Sequence, residues 1–262
     1  MENHEKISDV NIDETQRELI LSIKDLHKSY NNNEVLKGIN IDVYKGEVFG
    51  FIGRNGAGKS TTIDSIVGLK NFDLGTIVVN GFDVKKNPID AKKVIGYVAS
   101  EPITYESMTG YEYLRFIASS FKVEKNVFNE RVTQLGDKFL LSNADLKRKI
   151  REYSLGMKQK ICLIASLIHN PLLWILDEPT VGLDIIVYQT LMDTLSKFAK
   201  EGKTVFITSH NIDLVSRICN RVAVINNGVV DRIIDLDSDP DKRNELNDIF
   251  LKLYGIENES GE

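Results

Sequence analysis

The sequence predicts an α/β fold with a mostly parallel sheet, an antiparallel β part near its start and a helical insertion. Three observations carry this. Short β-type runs at 94–98, 172–176, 204–208 and 221–225 alternate with helical ones, the order of a parallel sheet with helices on both faces. Asn80-Gly81 sits between apolar runs, the strongest short signal for a hairpin, so the earlier strands at 19–25, 39–44, 48–52 and 77–79 include an antiparallel ribbon. The stretch 109–150 is charged and helix-prone and lacks strong strands, which marks a helical insertion between two sheet strands.

The elements follow in order. Residues 1–18 hold six acids against two bases, few large apolar residues and no periodicity, so they are expected to form a flexible acidic arm. They also lack a basic start and an apolar h-region, which argues against a signal peptide. A folded unit is expected over 19–255, with a short tail at 256–262. After the turn at Asn226-Asn227-Gly228, a terminal helix would place Leu246, Ile249, Phe250 and Leu253 on one face. No internal repeat and no low-complexity tract is present.

Composition narrows the function classes. The chain of 262 residues is long enough for one sizeable core, and its hydrophobic fraction of 42% is that of a globular protein. Its most apolar stretch, 161–176, is broken by Ser166, His169, Asn170 and Pro171, so no run reaches the roughly 20 residues of a membrane span. A net charge of −5 argues against a nucleic-acid partner. Cys162 and Cys219 lie in apolar helical patterns and read as buried small hydrophobes. The basic run Lys147-Arg148-Lys149-Ile150-Arg151 reads as a solvated face. His4, His27 and His169 match no chemical pattern and read as surface or packing residues.

Two motifs carry chemistry. Gly53-Arg54-Asn55-Gly56-Ala57-Gly58-Lys59-Ser60, followed by Thr61, matches the phosphate-binding P-loop, with an apolar strand before it and a helix-prone run after it. Its glycines let several backbone N–H groups converge on one anion, and the following helix adds its positive dipole end. Lys59 would serve the β- and γ-phosphates, and Ser60 would offer a hydroxyl to Mg²⁺. The second motif is the apolar strand 172–176 ending in Asp177-Glu178. A buried parallel strand delivers these acids to the carboxyl edge of the sheet, where ligands bind. There Asp177 would hold Mg²⁺, and Glu178 could polarise an attacking water.

Further motifs, in the same order along the chain, resemble those of ABC ATPase cassettes. Tyr153-Ser154-Leu155-Gly156-Met157-Lys158-Gln159 resembles the family signature, with Leu155 and Met157 in place of the commoner Gly and Gln. Val181-Gly182-Leu183-Asp184 resembles the D-loop, and Thr208-Ser209-His210 the switch histidine. Tyr30, ahead of Val35-Leu36-Lys37-Gly38, stands where the family has an adenine-stacking aromatic. The resemblance spans about 19–255 and implies a P-loop NTPase core, an antiparallel β subdomain and a helical subdomain at about 101–152.

It also implies function. Two cassettes would sandwich two ATP molecules head to tail, with Ser154 and Gly156 of one completing the pocket of the other. Asp184 would couple the pockets, and His210 would contact the γ-phosphate. The implied protein is an ATP-hydrolysing homodimer, held at the inner face of the cell membrane by a separate permease whose cytoplasmic helix the helical subdomain grips. Met157 in the signature and the terminal apolar helix resemble the ABC-2 export group, which handles drugs, antibiotics, peptides and polysaccharides.

Two departures stand out: Ser100, followed by Glu101-Pro102, occupies the Q-loop glutamine's place, and Ile185 replaces the proline after the D-loop aspartate. Two alternatives stand beside the transporter reading. A soluble ABC ATPase acting on DNA or the ribosome would need a long coiled coil or a second cassette, and between Thr61 and Tyr153 there are no heptads. A nucleotide-gated regulatory subunit with weak hydrolysis is suggested by Ser100.

Overall fold

The computed structural model describes residues 17–31, 33–238, 241–243, 246 and 248–249. The chain runs β1 (Leu19–Tyr30), β2 (Asn33–Tyr44), β3 (Val48–Ile52), α1 (Lys59–Ile66), β4 (Leu74–Val79), β5 (Phe82–Asp83), α2 (Pro88–Lys93) and β6 (Ile95–Val98). It continues through α3 (Gly110–Ser120), α4 (Lys125–Lys138), α5 (Asn143–Leu146) and α6 (Leu155–Leu167). The last part is β7 (Leu173–Asp177), α7 (Ile185–Lys200), β8 (Thr204–Thr208), α8 (Ile212–Ile218), β9 (Arg221–Asn226) and β10 (Val229–Asp235).

Two sheets form. The first is antiparallel, in the order β2-β1-β4-β5. Its β4–β5 hairpin turns at Asn80 (φ 47°) and Gly81 (φ 82°), the paired positive φ values that an Asn-Gly turn supplies. The second sheet has the order β10-β9-β3-β8-β7-β6. Its β9, β3, β8, β7 and β6 are all parallel, and only the edge strand β10 runs antiparallel.

Alternation along the central strands sorts side chains onto two faces. Val48, Ile52, Trp174, Leu176, Val205, Ile207, Val222 and Val224 enter one core together with residues of α3, α4, α6, α7 and α8. Phe49, Phe51, Leu173, Ile175, Phe206, Ala223 and Ile225 enter the other. That second face departs from expectation. Helices contribute Ile63, Ile66 and Ala91 there, but most of the cover is the antiparallel sheet, through Leu21, Ile23, Ile39, Ile41, Val43 and Ile77.

The helical insertion is well delimited. Thr109 and Glu112 form a capping box at the start of α3, and Ser142 and Asp145 form another at α5. Its apolar residues, among them Leu114, Phe128, Val132 and Phe139, are buried in the same core as Ile161 and Ile164 of α6. Cys162 and Cys219 are buried and free, and burial pushes the Cys162 thiol up to about 11. His169 stacks on Phe121 with ring centroids 3.7 Å apart, and burial lowers its pKa to about 4. His27 bridges Glu34 and Asp25 on the antiparallel sheet, and His4 lies outside the described residues. Leu246 is buried and Ile249 packs against the same core, as a terminal apolar helix face requires. Phe250, Leu253, most of the acidic arm and the tail fall outside the described residues. No helix among the described residues is long and apolar enough to cross a membrane.

Candidate active site

The phosphate loop follows from the burial of β3. All five β3 residues are buried, so the strand ends abruptly at the sheet edge and the chain must turn sharply into α1. A Cβ on Gly53 would lie 2.2 Å from the Ile225 carbonyl oxygen, so only glycine lets the turn pass β9. Gly58 caps α1 at φ 113°, a backbone shape that L side chains rarely take. Because Gly58 has no side chain, the first N–H groups of α1 have no capping oxygen and face outward as an anion site.

Lys59 lies across this turn. Its Nζ donates to the carbonyls of Gly53 at 2.6 Å and Arg54 at 3.2 Å. Burial lowers its pKa, against the opposing pull of Glu178 and Asp177. Ala57 is buried, and its carbonyl accepts from Gly228 N–H.

The carboxylates arrive on β7, which is buried along its length. Asp177 pairs in register with Thr208 of β8. The Thr208 hydroxyl donates to Asp177 Oδ1 at 2.5 Å, and the Ser60 hydroxyl donates to Oδ2 at 3.0 Å. One carboxylate therefore joins the first turn of α1 to two adjacent strand ends. Glu178 comes next, in the left-handed region at φ 47°, which is uncommon for a residue with a Cβ. Its N–H points to the Thr208 carbonyl (3.3 Å) and hydroxyl (3.1 Å). Its Oε2 accepts from His210 N–H at 3.1 Å, and His210 Nε2 stands 3.2 Å from Oε1. Burial raises the Glu178 pKa, opposed by His210 and Lys59.

These groups open on one cleft of about 440 Å³. Asn55, Gly56, Gly58, Lys59, Ser60, Thr61, Ser100, Asp177, Glu178 and His210 all line it, and so does Val35. The structure thus brings together residues that lie far apart in the sequence. Cationic and N–H donors face two carboxylates there, a setting that can hold a polyphosphate and activate a water beside it. The sequence motifs give Thr208 no role of its own, yet it anchors both acids.

Other expected residues stand apart from this cleft. Tyr30 is exposed, with Lys28 and Lys70 Nζ at 5.0 and 5.8 Å from its ring centre. Ser154 caps α6 by accepting from Met157 N–H, and Gly156 falls inside the first turn of that helix. A Cβ on Gly156 would lie 2.6 Å from Gly182 O, so the segments that resemble the signature and the D-loop touch within one chain. Asp184 caps α7 and pairs with Lys160 at 3.3 Å.

A second, mostly apolar groove of about 380 Å³ lies between β6, α3 and α6. Ile95, Tyr97, Ile103, Ile117, Phe121 and Ala165 are among its walls. Ala99 lines this groove while the next residue, Ser100, lines the phosphate cleft.

Comparison with known proteins agrees with this geometry. A family model described as ABC transporter matches residues 36–181. The linearmycin resistance ATP-binding protein LnrL of Bacillus subtilis is 36% identical over 209 residues, which are 80% of this chain and 67% of that protein. The lantibiotic transport ATP-binding protein SrtF of Streptococcus pyogenes is 34% identical over 231 residues, 88% of this chain and 96% of that one. A solved ATP-binding subunit of an ABC transporter superposes with a TM-score of 0.83 at 29% identity, covering 90% of this chain and 99% of that chain. With its phosphate loop and paired acids on one cleft, the chain belongs to the ABC transporter family, as an ATP-binding and ATP-hydrolysing subunit that powers transport.

Proposed function

We propose that this subunit works as a Mg²⁺-dependent homodimer on a separate integral membrane permease, at the inner face of the cell membrane, and drives export. The apolar groove beside the nucleotide cleft carries the reading. Its walls offer a cytoplasmic helix of the permease a place to bury apolar surface, and consecutive residues, Ala99 and Ser100, face the two clefts. A change at the phosphates can therefore reach the docked helix through one short segment.

The residues fit Mg²⁺. Ser60 Oγ and Asp177 Oδ2, 3.0 Å apart at the cleft, are the oxygen donors a hard cation takes. When bound there, the ion would neutralise charge on the β- and γ-phosphate oxygens. Lys59 would exchange its two carbonyl partners for phosphate oxygens. Glu178 would accept the proton of the attacking water, and His210 would hold that carboxylate and meet the γ-phosphate. Tyr30 would offer its ring to adenine.

The dimer explains what the single chain leaves outside its cleft. Ser154, Gly156 and Asp184 would complete and couple the pockets of a second copy. Leu155, Val181, Ile185 and Ile186 are exposed around the Gly156–Gly182 contact, and Ile185 reaches 83% exposure, as an apolar surface awaiting a partner would be. The folded unit would span 19–255, with the helical subdomain at about 101–152. Within the range of drug, antibiotic, peptide or polysaccharide, relatives named for linearmycin resistance and lantibiotic transport support an antibiotic or peptide as the exported cargo. Purification of the chain from native membranes tests the whole reading: an integral membrane protein should copurify, and copurification with ribosomes or DNA instead would overturn it.

A further inference from the structure

Gln159 lies on α6 and is fully buried. Its Nε2 donates to the Pro179 carbonyl at 2.9 Å, and since a carbonyl only accepts, the orientation of the amide is fixed. Its Oε1 is buried and has no hydrogen-bond partner among the described residues. Among the described residues, the Pro179 carbonyl is thus the amide's hydrogen-bond partner.

Pro179 directly follows Glu178. Glu178 sits at φ 47°, and a strained residue keeps such a backbone only when its surroundings hold it from more than one side. Thr208 holds it on the N–H side. Pro179 has no N–H of its own, so on the other side the hold comes through its carbonyl, and Gln159 supplies it. Two further ties run parallel between α6 and the same segment, the close Gly156–Gly182 packing and the Lys160–Asp184 ion pair.

We infer that Gln159 is a positioning residue for ATP hydrolysis, its side-chain N–H fixing the Pro179 carbonyl and so the direction in which Glu178 presents its carboxylate. This rests on the reading of Glu178 as the base. Because Ser154 caps α6, the same tie makes the base answer to the position of the helix that would touch the second nucleotide.

The test uses the full-length chain with Gln159→Met, Gln159→Glu and Glu178→Gln variants. Gln159→Met keeps the length and removes the donor. It should lower kcat roughly ten- to a hundredfold, the cost of a misplaced group, while KM for ATP stays within about twofold. Gln159→Glu sets an acceptor against the carbonyl at neutral pH. On acidification the introduced carboxyl gains a proton it can donate to Pro179 O, so the ratio of its kcat to that of the wild type should climb as pH falls. The corresponding ratio for Gln159→Met should stay flat. An unchanged kcat in Gln159→Met, an equal loss of kcat and ATP affinity, or a pH-independent ratio for Gln159→Glu overturns the inference. If Gln159→Met does not fold, the pH ratio of Gln159→Glu decides. Glu178→Gln separates the two readings: wild-type turnover there refutes the base itself, whereas its loss beside an unaffected Gln159→Met refutes only the positioning role.

Discussion

His210 meets Glu178 at two points: its backbone N–H donates to Oε2 at 3.1 Å, and its ring Nε2 stands 3.2 Å from Oε1, a contact that becomes an ion pair when the ring is protonated. The backbone bond survives any change of the ring, whereas the ring contact depends on the side chain. Orientation and charge are thus supplied separately, and substitution can part them.

Glu178→Gln should keep ATP binding and nearly abolish hydrolysis, because an amide cannot accept the proton of water. The change is isosteric, and the amide oxygen still accepts from His210 N–H, so the fold should hold. With ATP the variant should accumulate as a dimer in size-exclusion chromatography. Near-normal turnover would remove Glu178 from the base role.

The pH dependence follows from burial. A base works only when ionised, and burial raises the Glu178 pKa above the ordinary carboxylate range. Turnover should therefore rise with pH through a midpoint above that range. His210 opposes the shift by its charge. In His210→Ala the acidic limb should move to still higher pH, which a pH profile of kcat for both proteins would show.

Two glycines of the phosphate loop should fail differently. In Gly53→Ala the new Cβ would meet Ile225 O at 2.2 Å, a backbone atom that cannot step aside. A loss of about 2–3 kcal/mol in urea unfolding is expected from such overpacking. At Gly56, φ is 79° and a Cβ would meet nothing within 4 Å. Gly56→Ala should cost only about 1 kcal/mol of backbone strain and act mainly on ATP affinity, since its methyl enters the cleft. Equal destabilisation by the two would contradict this.

The composite pocket can be tested by mixing. A Ser154→Arg chain and a Lys59→Ala chain each form homodimers with both pockets damaged. Their heterodimer has one intact pocket and one doubly damaged pocket. ATP-dependent dimerisation, followed by size exclusion, should partly return in the mixture. If Ser154→Arg alone dimerises normally with ATP, Ser154 does not face a second nucleotide.

Much of this site is legible in the sequence because its chemistry is local. The glycines at 53, 56 and 58 and the acids closing an apolar strand are adjacent in sequence, and the sheet edge only has to gather them. What escapes is long-range. Gln159–Pro179 and Thr208–Asp177 join residues 20 and 31 positions apart, and no spacing rule encodes them. The strand β10 escapes for another reason. As an edge strand it buries only Ile234, so Asp231 and Arg232 interrupt any apolar alternation. The cover on the second sheet face escapes because periodicity shows that a face is buried without showing by what. The antiparallel strands alternate as they should, and only their packing reveals that they take a place expected for helices.

Ser100 lines the phosphate cleft and Ala99 the apolar groove, and Ser100, where the resemblance expects a Q-loop glutamine, has a side chain two heavy atoms shorter. So short a side chain would favour reaching a cation held by Ser60 and Asp177 through a water rather than directly. Mg²⁺ holds near-octahedral geometry but keeps waters readily, so a water bridged by Ser100 can fill the position. Glu101 is exposed and outside the cleft lining, and its charge beside a triphosphate is repelled unless a cation offsets it. The chain should therefore bind ATP normally and hydrolyse it slowly without its partner. Ser100→Gln should raise basal turnover severalfold, Ser100→Ala should lower it modestly, and Glu101→Gln should leave it nearly unchanged. Steady-state ATPase rates across a Mg²⁺ titration distinguish these, because Ser100→Ala should also need more Mg²⁺ for half-maximal rate. Loss of activity in Glu101→Gln beside an unaffected Ser100→Ala would mean that the acid has taken over the loop's role, with its carboxylate rather than a bridged water completing the metal's shell.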